Sequence, residues 1–190
     1  GNDTGGNNRG QLYTFDLSDA DPANWQATGV AFQPTGAIPD GNEPRGDDDQ
    51  LGLRISLGGD GGEWLVASAH LDDGNGDSTS AAGAVYVFRL NGAGTYDVHQ
   101  KLSGTGGANA EFGRSVDINE EGNLIAVGAR LEDTFGNNVG GVYLFSLDDS
   151  QAIGSKWTLS DGPKIDENRD ARGVIDGADE FGRSVAISGS

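Results

Sequence analysis

The stretch Glu111-Phe112-Gly113-Arg114-Ser115-Val116 returns letter for letter as Glu180-Phe181-Gly182-Arg183-Ser184-Val185. A diverged copy, Gln50-Leu51-Gly52-Leu53-Arg54-Ile55, comes before both. The second residue of each copy stands at position 51, 112 or 181, so the spacings are 61 and 69 residues. A period of this length is typical of a chain that repeats one supersecondary unit, and it predicts an array rather than a globule built around one site.

Each unit contains four short segments with the composition of β-strands, which we call strands A to D in chain order. Their β-branched and aromatic residues indicate strands, and the clusters of Gly, Asn and Asp between them indicate turns. The predicted strands of the best-preserved unit are residues 112–118, 124–129, 141–145 and 156–159. Those of the preceding unit are residues 53–57, 64–69, 84–88 and 96–102, and residues 11–15 and 25–32 supply strands C and D of the first unit.

Strand B is apolar on both faces, as in Leu124-Ile125-Ala126-Val127-Gly128-Ala129, which predicts burial between two neighbouring sheets. A four-stranded antiparallel sheet leaves its own two apolar faces uncovered, and stacking similar sheets around an axis covers both. The predicted fold is therefore all-β, with β-propeller-type blades of four antiparallel strands. A β-sandwich is the alternative.

The predicted array is a single domain over residues 1–190 that holds an incomplete set of blades and is cut inside a blade. Residues 1–49 form the end of one blade, residues 50–110 and 111–180 form two blades, and residues 181–190 form the first strand of the next. Because the sequence contains no Met, we expect a mature or excised segment of a longer protein. Unfinished blades expose strand edges, so self-association is expected.

The order of three segments in the best-preserved unit resembles the FG-GAP repeat. The segments are Phe112-Gly113-Arg114-Ser115-Val116, then the B strand quoted above, then Gly141-Val142-Tyr143-Leu144-Phe145. The preceding unit departs from this pattern, with Leu51 for Phe and Ala67-Ser68-Ala69 for Val-Gly-Ala. The resemblance implies the seven-bladed propeller of integrin alpha chains and of bacterial surface proteins, and with it an extracellular or cell-surface location.

The charge of the chain limits its partners. Lys and Arg number 12 against 30 Asp and Glu, which gives a formal net charge of −18. Such a chain repels nucleic acid and anionic membrane and attracts cations. No apolar stretch is long enough to span a bilayer, so we expect no membrane insertion. Without Cys, no disulfide forms.

Two kinds of loop are candidate calcium sites. The resemblance implies calcium in the A–B loop, where Asp117, Asn119 and Glu121 occupy the matching alternate positions, although Ile125 stands where the closing carboxylate is expected. The B–C loops are rich in oxygen ligands and kinked by Gly, which suits a hard cation. Their candidate ligands are Asp72, Asp73, Asn75 and Asp77, with Asp133 and Asn137 in the following unit. Turns stabilised by Asp and Asn without any metal are the alternative for both kinds of loop.

No nucleophile elbow, phosphate-binding loop or dinucleotide fingerprint occurs, and the two histidines, His70 and His99, are not at zinc-ligand spacing. The sequence therefore predicts a non-enzymatic extracellular module for adhesion or assembly, stabilised by calcium. Its expected partners are further copies of itself, through head-to-tail or shared-blade contacts, or a surface protein or glycan. The alternatives are a structural filament or sheath subunit, and a propeller hydrolase or lyase with a site on the central face.

Overall fold

The computed structural model describes residues 10–16, 21–24, 26–32, 49–73, 81–134, 138–164 and 179–189. These residues form ten β-strands and two short 3-10 turns, and no α-helix occurs among them. The predicted all-β fold class is confirmed. The strands are β1 (Leu12–Asp16), β2 (Gln26–Phe32), β3 (Ile55–Gly58), β4 (Trp64–Ala69), β5 (Ala84–Leu90), β6 (Tyr96–Leu102), β7 (Phe112–Ile118), β8 (Leu124–Ala129), β9 (Gly141–Leu147) and β10 (Trp157–Lys164).

The strands form antiparallel meanders in chain order. Strands β3 to β6 make one four-stranded sheet and β7 to β10 another, and β1 pairs with β2 alone. We call these sheets the second blade, the third blade and the first blade. The two complete blades reproduce the predicted strands A to D. Their registers match as well, because Val66 pairs with Val87 in one blade and Ala126 with Leu144 in the other.

Strand B lies at the centre of the packing, as its sequence predicts. All residues of β4 are buried, and so are all residues of β8 except Leu124. Apolar side chains of the second and third blades interlock in one cluster, in which the rings of Trp64 and Trp157 meet edge to face at 5.5 Å. Burial of this kind stabilises a fold by about 25 cal/mol for each Å² of apolar surface removed from water.

A glycine before each strand C fixes the contact between one blade and the next. Gly10, Gly83 and Gly140 all have left-handed backbones, with φ of 80°, 86° and 83°. A Cβ atom on any of them would lie 2.1 Å from a backbone oxygen of the next Phe-Gly segment, that of Leu51, Phe112 or Phe181 respectively. The same backbone hydrogen bond recurs at two of these junctions, from Phe112 N to Ala82 O at 2.9 Å and from Phe181 N to Val139 O at 2.8 Å.

Several strand bounds differ from the predicted ones. β3 begins at Ile55 rather than at residue 53, and β5, β9 and β10 continue past their predicted ends to Leu90, Leu147 and Lys164. The remaining bounds agree to within one residue. Residues 181–189 occupy the place of a strand A beside the third blade, where Ser115 Oγ donates to Gly182 O at 2.7 Å. They form a single parallel bridge, between Phe181 and Gly140, and no strand.

Candidate functional site in the loops and blade junctions

The first B–C loop candidate, Asp72, is buried in an ion pair. Its Oδ1 accepts a hydrogen bond from Lys101 Nζ at 2.9 Å, and both side chains are only 2% exposed. Its Oδ2 accepts from the hydroxyl of Tyr86 at 2.5 Å. Tyr86 lies on β5 and Lys101 directly opposite on β6. The positive charge beside this carboxylate is therefore an ammonium group of the protein itself.

The same position in the third blade holds Glu132, which is also buried. Its Oε2 accepts a hydrogen bond from the hydroxyl of Tyr143, and its Oε1 accepts from the backbone N and the Oγ1 of Thr134. Burial, together with the bond to Glu132, raises the pKa of Tyr143 to about 12. In both complete blades, a buried acidic side chain after strand B accepts a hydrogen bond from the tyrosine of strand C. The sequence carries one signal of this pair, because a tyrosine recurs at the same place in residues 83–88 and 140–145, both of the pattern Gly-x-Val-Tyr-x-Phe.

Asp73 and Asp133 close their loops in the same way. Asp73 Oδ1 accepts from the backbone N of Ala81 at 2.9 Å, and Asp133 Oδ1 accepts from the backbone N of Asn138 at 2.6 Å. Ala81 and Asn138 both have left-handed backbones, with φ of 48° and 55°. The remaining candidates in these loops, Asn75, Asp77 and Asn137, lie outside the described residues.

Asn119 organises the turn of the A–B loop. Its Oδ1 accepts from the backbone N of Asn123 at 3.0 Å and of Leu124 at 2.9 Å, and its Nδ2 donates to Glu121 Oε2 at 2.9 Å. Glu121 is exposed. The buried amide therefore makes the tight turn between β7 and β8, as the alternative interpretation expected of a turn-forming residue.

Asp117 connects β7, the edge strand of the third blade, with the segments on either side of it. Its Oδ1 accepts from Ser56 Oγ on β3 at 2.6 Å, and its Oδ2 accepts from the backbone N of Ile187 at 2.9 Å. The Asp117 carboxylate thus binds both β3 and residues 181–189.

Three of the described calcium candidates already accept hydrogen bonds from the protein, which favours the metal-free turn as the interpretation of their loops. Calcium needs six to eight oxygen ligands, whereas the side-chain oxygens of Asp72, Asp117 and Asn119 already accept protein hydrogen bonds, and the Lys101 ammonium would repel a cation. No group of three or more His, Cys, Asp and Glu residues that could hold a metal occurs within the described ranges. The predicted calcium sites, including those with Asn75, Asp77 and Asn137, stay predictions.

An ionic network lies at the junction between the third blade and residues 181–189. Arg130 donates to Glu111 from Nε at 2.6 Å and from Nη2 at 2.8 Å, and its Nη1 reaches Glu180 at 3.4 Å. Burial opposes the charge on Glu111, but the bonds and charge of Arg130 outweigh it and lower the pKa of the Glu111 carboxyl. In the preceding unit His70 occupies the position equivalent to Arg130. Burial lowers the pKa of the His70 imidazole.

The other groups with catalytic potential also contact structural partners. The ring of His99 is buried against Trp64, with centroids 5.0 Å apart, and burial lowers its pKa. The hydroxyl of Ser115 donates to the carbonyl of Gly182 and so joins the third blade to the segment beyond it. Side chains of this kind serve here as contacts within and between blades.

Residues 99–145 match the family model of the FG-GAP repeat. The chain carries an FG-GAP repeat. The matched segment includes Phe112-Gly113, all of β7 and β8, and most of β9, so it contains the three segments on which the resemblance rests. No curated protein matches the chain. Among the described residues, none of the helical turns has the length and apolar character needed to cross a membrane.

Proposed function

We propose that this FG-GAP array is a non-enzymatic extracellular module that works in adhesion or assembly through the surfaces of its blades. The observation that carries the proposal is that the polar side chains are bonded within the fold while large apolar side chains are exposed. Polar groups such as the buried Asp72 and the half-buried Asp117 and Arg130 join strands and blades, whereas the large apolar side chains of Ile55 and Leu57 face solvent. The second blade thus offers a partner a surface rather than a cluster of reactive groups.

The family and the charge support the same proposal. FG-GAP repeats build the propellers of integrin alpha chains and of bacterial surface proteins, which favours an extracellular location. A formal net charge of −18 disfavours nucleic acid and anionic membrane as partners. A surface protein, a glycan or another copy of the chain remains as the class of partner.

A bead assay tests this function. Beads coated with the purified chain are exposed to arrays of extracellular-matrix proteins and glycans and, separately, to one another. Beads coated with succinylated albumin control for negative charge. We expect the chain-coated beads to bind an array component or to aggregate, and the control beads to do neither. Each arm is run with calcium chloride and with a chelator, because the predicted calcium sites include residues outside the described ranges.

The enzyme alternative is tested on the same preparation. The chain is incubated with polysaccharide, peptide and ester substrates, and hydrolysis or elimination products are measured. Turnover without any binding in the bead assay would overturn the proposal.

A further inference from the structure

Two arginines face each other at the junction between the second blade and the third, in a chain whose formal net charge is −18. Arg54 continues the pairing of β3 with β4, because its backbone N donates to Ser68 Oγ at 3.0 Å and its carbonyl accepts from Ser68 N at 2.9 Å. Residues two apart in a strand share a face. Arg54 is therefore on the face of Ser56, whose hydroxyl donates to Asp117 of the third blade.

Arg114 is the second arginine and comes from the third blade, on β7. Its Nε atom lies 3.8 Å from Glu111 Oε2. That carboxylate already accepts two hydrogen bonds from Arg130, at 2.6 and 2.8 Å. The Nε atom of Arg114 is buried and has no hydrogen-bond partner among the described residues. The nearby carboxylate is thus committed to another guanidinium.

Arg54 also lacks an acidic partner within the described part of the chain. Its side chain is exposed, and there its guanidinium donates only to the carbonyl of the adjacent Leu53, at 3.1 Å. Both blades at this junction are complete, with four strands each. The unpaired charge therefore belongs to a finished junction of the array.

The buried ring of His70 lies among these charges. It is only 6% exposed, and its Nδ1 atom has no hydrogen-bond partner in the part of the chain that the structure describes. Burial is the main cause that lowers the pKa of this imidazole, and three positive charges lower it further, those of Arg114, Arg130 and Arg54. Among the described residues, Glu111 alone raises it. The surroundings of His70 thus hold three positive charges against one negative charge.

The next junction shows how such charges are balanced elsewhere in the array. There Glu180 Oε2 accepts from Arg130 at 3.4 Å and from Arg183 at 3.2 Å, so one carboxylate binds both arginines. The residue equivalent to Arg54 at that junction is Ser115, which is uncharged. The junction between the second and third blades therefore differs in having two arginines without such a bond.

We propose that Arg54 and Arg114 form a binding site for a carboxylate group of a ligand. A guanidinium presents parallel N–H donors that match the two oxygens of a carboxylate. The chain itself uses this arrangement where Arg130 binds Glu111. A bound carboxylate supplies the negative charge that two neighbouring arginines need in order not to repel each other.

The charge of the whole chain limits the ligand further. A net charge of −18 repels a ligand with many negative charges far more than a ligand with one. We therefore assign the site to isolated carboxylates, such as that of an acidic sugar or the free carboxyl end of a peptide. This inference goes beyond the proposed function, because it concerns one ligand group and holds whether or not the chain works in adhesion.

NMR titration tests the site, with the ring signals of His70 as the reporter and those of His99, the other histidine of the chain, as the internal control. The probes are acetate, glucuronate and N-acetylglycine at constant pH and ionic strength, with glucose and N-acetylglycinamide as uncharged counterparts. We expect saturable shifts of the His70 signals with dissociation constants on the order of 1–10 mM, and none from the uncharged compounds. Tighter binding of glucuronate than of N-acetylglycine identifies a sugar as the source of the carboxylate, and the reverse identifies a peptide.

A matched pair of variants tests the arginine. Arg54→Gln should weaken carboxylate binding about tenfold, because a charge-assisted hydrogen bond is lost. Arg89→Gln removes another exposed arginine, one that is paired with Glu63 at 2.6 Å, and should bind like the wild type. The two variants have the same net charge. Arg54→Gln should melt no lower than Arg89→Gln, because it removes a repulsive charge rather than an ion pair.

Three results would overturn the inference. One is the absence of a saturable shift of the His70 signals with any of the carboxylates. The second is equal affinity of the wild type and Arg54→Gln. The third is sulfate that binds more tightly than every carboxylate, which would contradict the class of ligand. In each case, binding of the chain-coated beads to an array component would leave the proposed function standing.

Discussion

At the scale of single residues, the glycines before strand C decide how closely two blades approach. Gly83 sits at φ of 86° with the backbone of Phe112 against it, so the position requires both a left-handed conformation and the absence of a Cβ atom. The repeated Phe-Gly dipeptide is the most visible pattern in the sequence. In the structure it packs against Gly83, a single glycine of the preceding blade. Neither could be placed against the other from sequence alone, because their contact joins different blades.

Replacing this glycine should therefore separate the blades. We expect Gly83→Ala to destabilise the fold by about 3 kcal/mol or more, because the new Cβ atom would lie 2.1 Å from Phe112 O and the backbone would be strained as well. Gly92→Ala is the matched control, since a Cβ atom there has no neighbour within 4 Å. Urea unfolding measures both. Equal stability of the two variants would contradict the role given to the junction.

Tyr143 gives the fold a dependence on alkaline pH. Its pKa of about 12 in the folded protein exceeds the ordinary value of 10.0, so the folded state keeps the proton that the unfolded state loses. The stability associated with this group is fully present below pH 10 and is lost as the pH rises toward 12. By linkage the loss is on the order of 2–3 kcal/mol.

The test compares the slope of unfolding free energy between pH 10 and 12 in three proteins. Tyr143→Phe should be less stable than the wild type at neutral pH, by about 1–3 kcal/mol, because Glu132 loses a hydrogen-bond donor. Its decline at alkaline pH should be shallower. Tyr13→Phe, at an exposed tyrosine, should keep the wild-type slope. An identical slope for all three proteins would remove Tyr143 as the cause.

At the scale of strands and loops, the sequence predicts what depends on local pattern and misses what depends on long-range pairing. Strand B could be predicted because its six residues have no polar face, and both copies are found where they were expected. The oxygen-rich loop around Asp72 was predicted to bind calcium, because nothing within the loop indicates that Lys101, 29 residues further along, lies against it. Residues 181–189 have the sequence of a strand, yet they form only the bridge between Phe181 and Gly140, which no local pattern predicts.

The buried pair of Asp72 and Lys101 should behave as a unit. We expect Lys101→Met to cost about 3–5 kcal/mol, because it leaves a carboxylate buried without its partner. Adding Asp72→Asn to Lys101→Met should recover most of that loss, since no net charge then remains buried. A double-mutant cycle by urea unfolding measures the coupling. Losses that simply add would show that the two side chains do not depend on each other.

Calcium provides an independent check on the same element. If the ammonium of Lys101 serves as the cation of this loop and no other loop binds calcium, the wild-type melting temperature should be equal in calcium chloride and in magnesium chloride of the same ionic strength. A ligand that binds only the folded state must raise that temperature. A rise that calcium produces and magnesium does not would instead support a predicted calcium site.

At the scale of the whole molecule, two electrostatic effects oppose each other. The excess of acidic side chains, 30 against 12 basic ones, destabilises the compact state through self-repulsion. Ion pairs such as that between Arg130 and Glu111 act in the other direction, but they are few among the described residues and partly exposed. Surface pairs of this type contribute about 0–1 kcal/mol each. Repulsion should therefore dominate the response of the fold to salt.

Raising sodium chloride from about 10 mM to about 300 mM should accordingly raise the melting temperature, because it shortens the range over which like charges repel. Each kcal/mol recovered corresponds to about 2–4 °C in a chain of this size. The measurement is made at a protein concentration at which sedimentation shows a single species, so that self-association does not add to the stability. Glucose at equal osmolarity controls for effects other than screening. A melting temperature that falls with salt would mean that the ion pairs, with Arg130 and Glu111 foremost, stabilise the array by more than its net charge destabilises it.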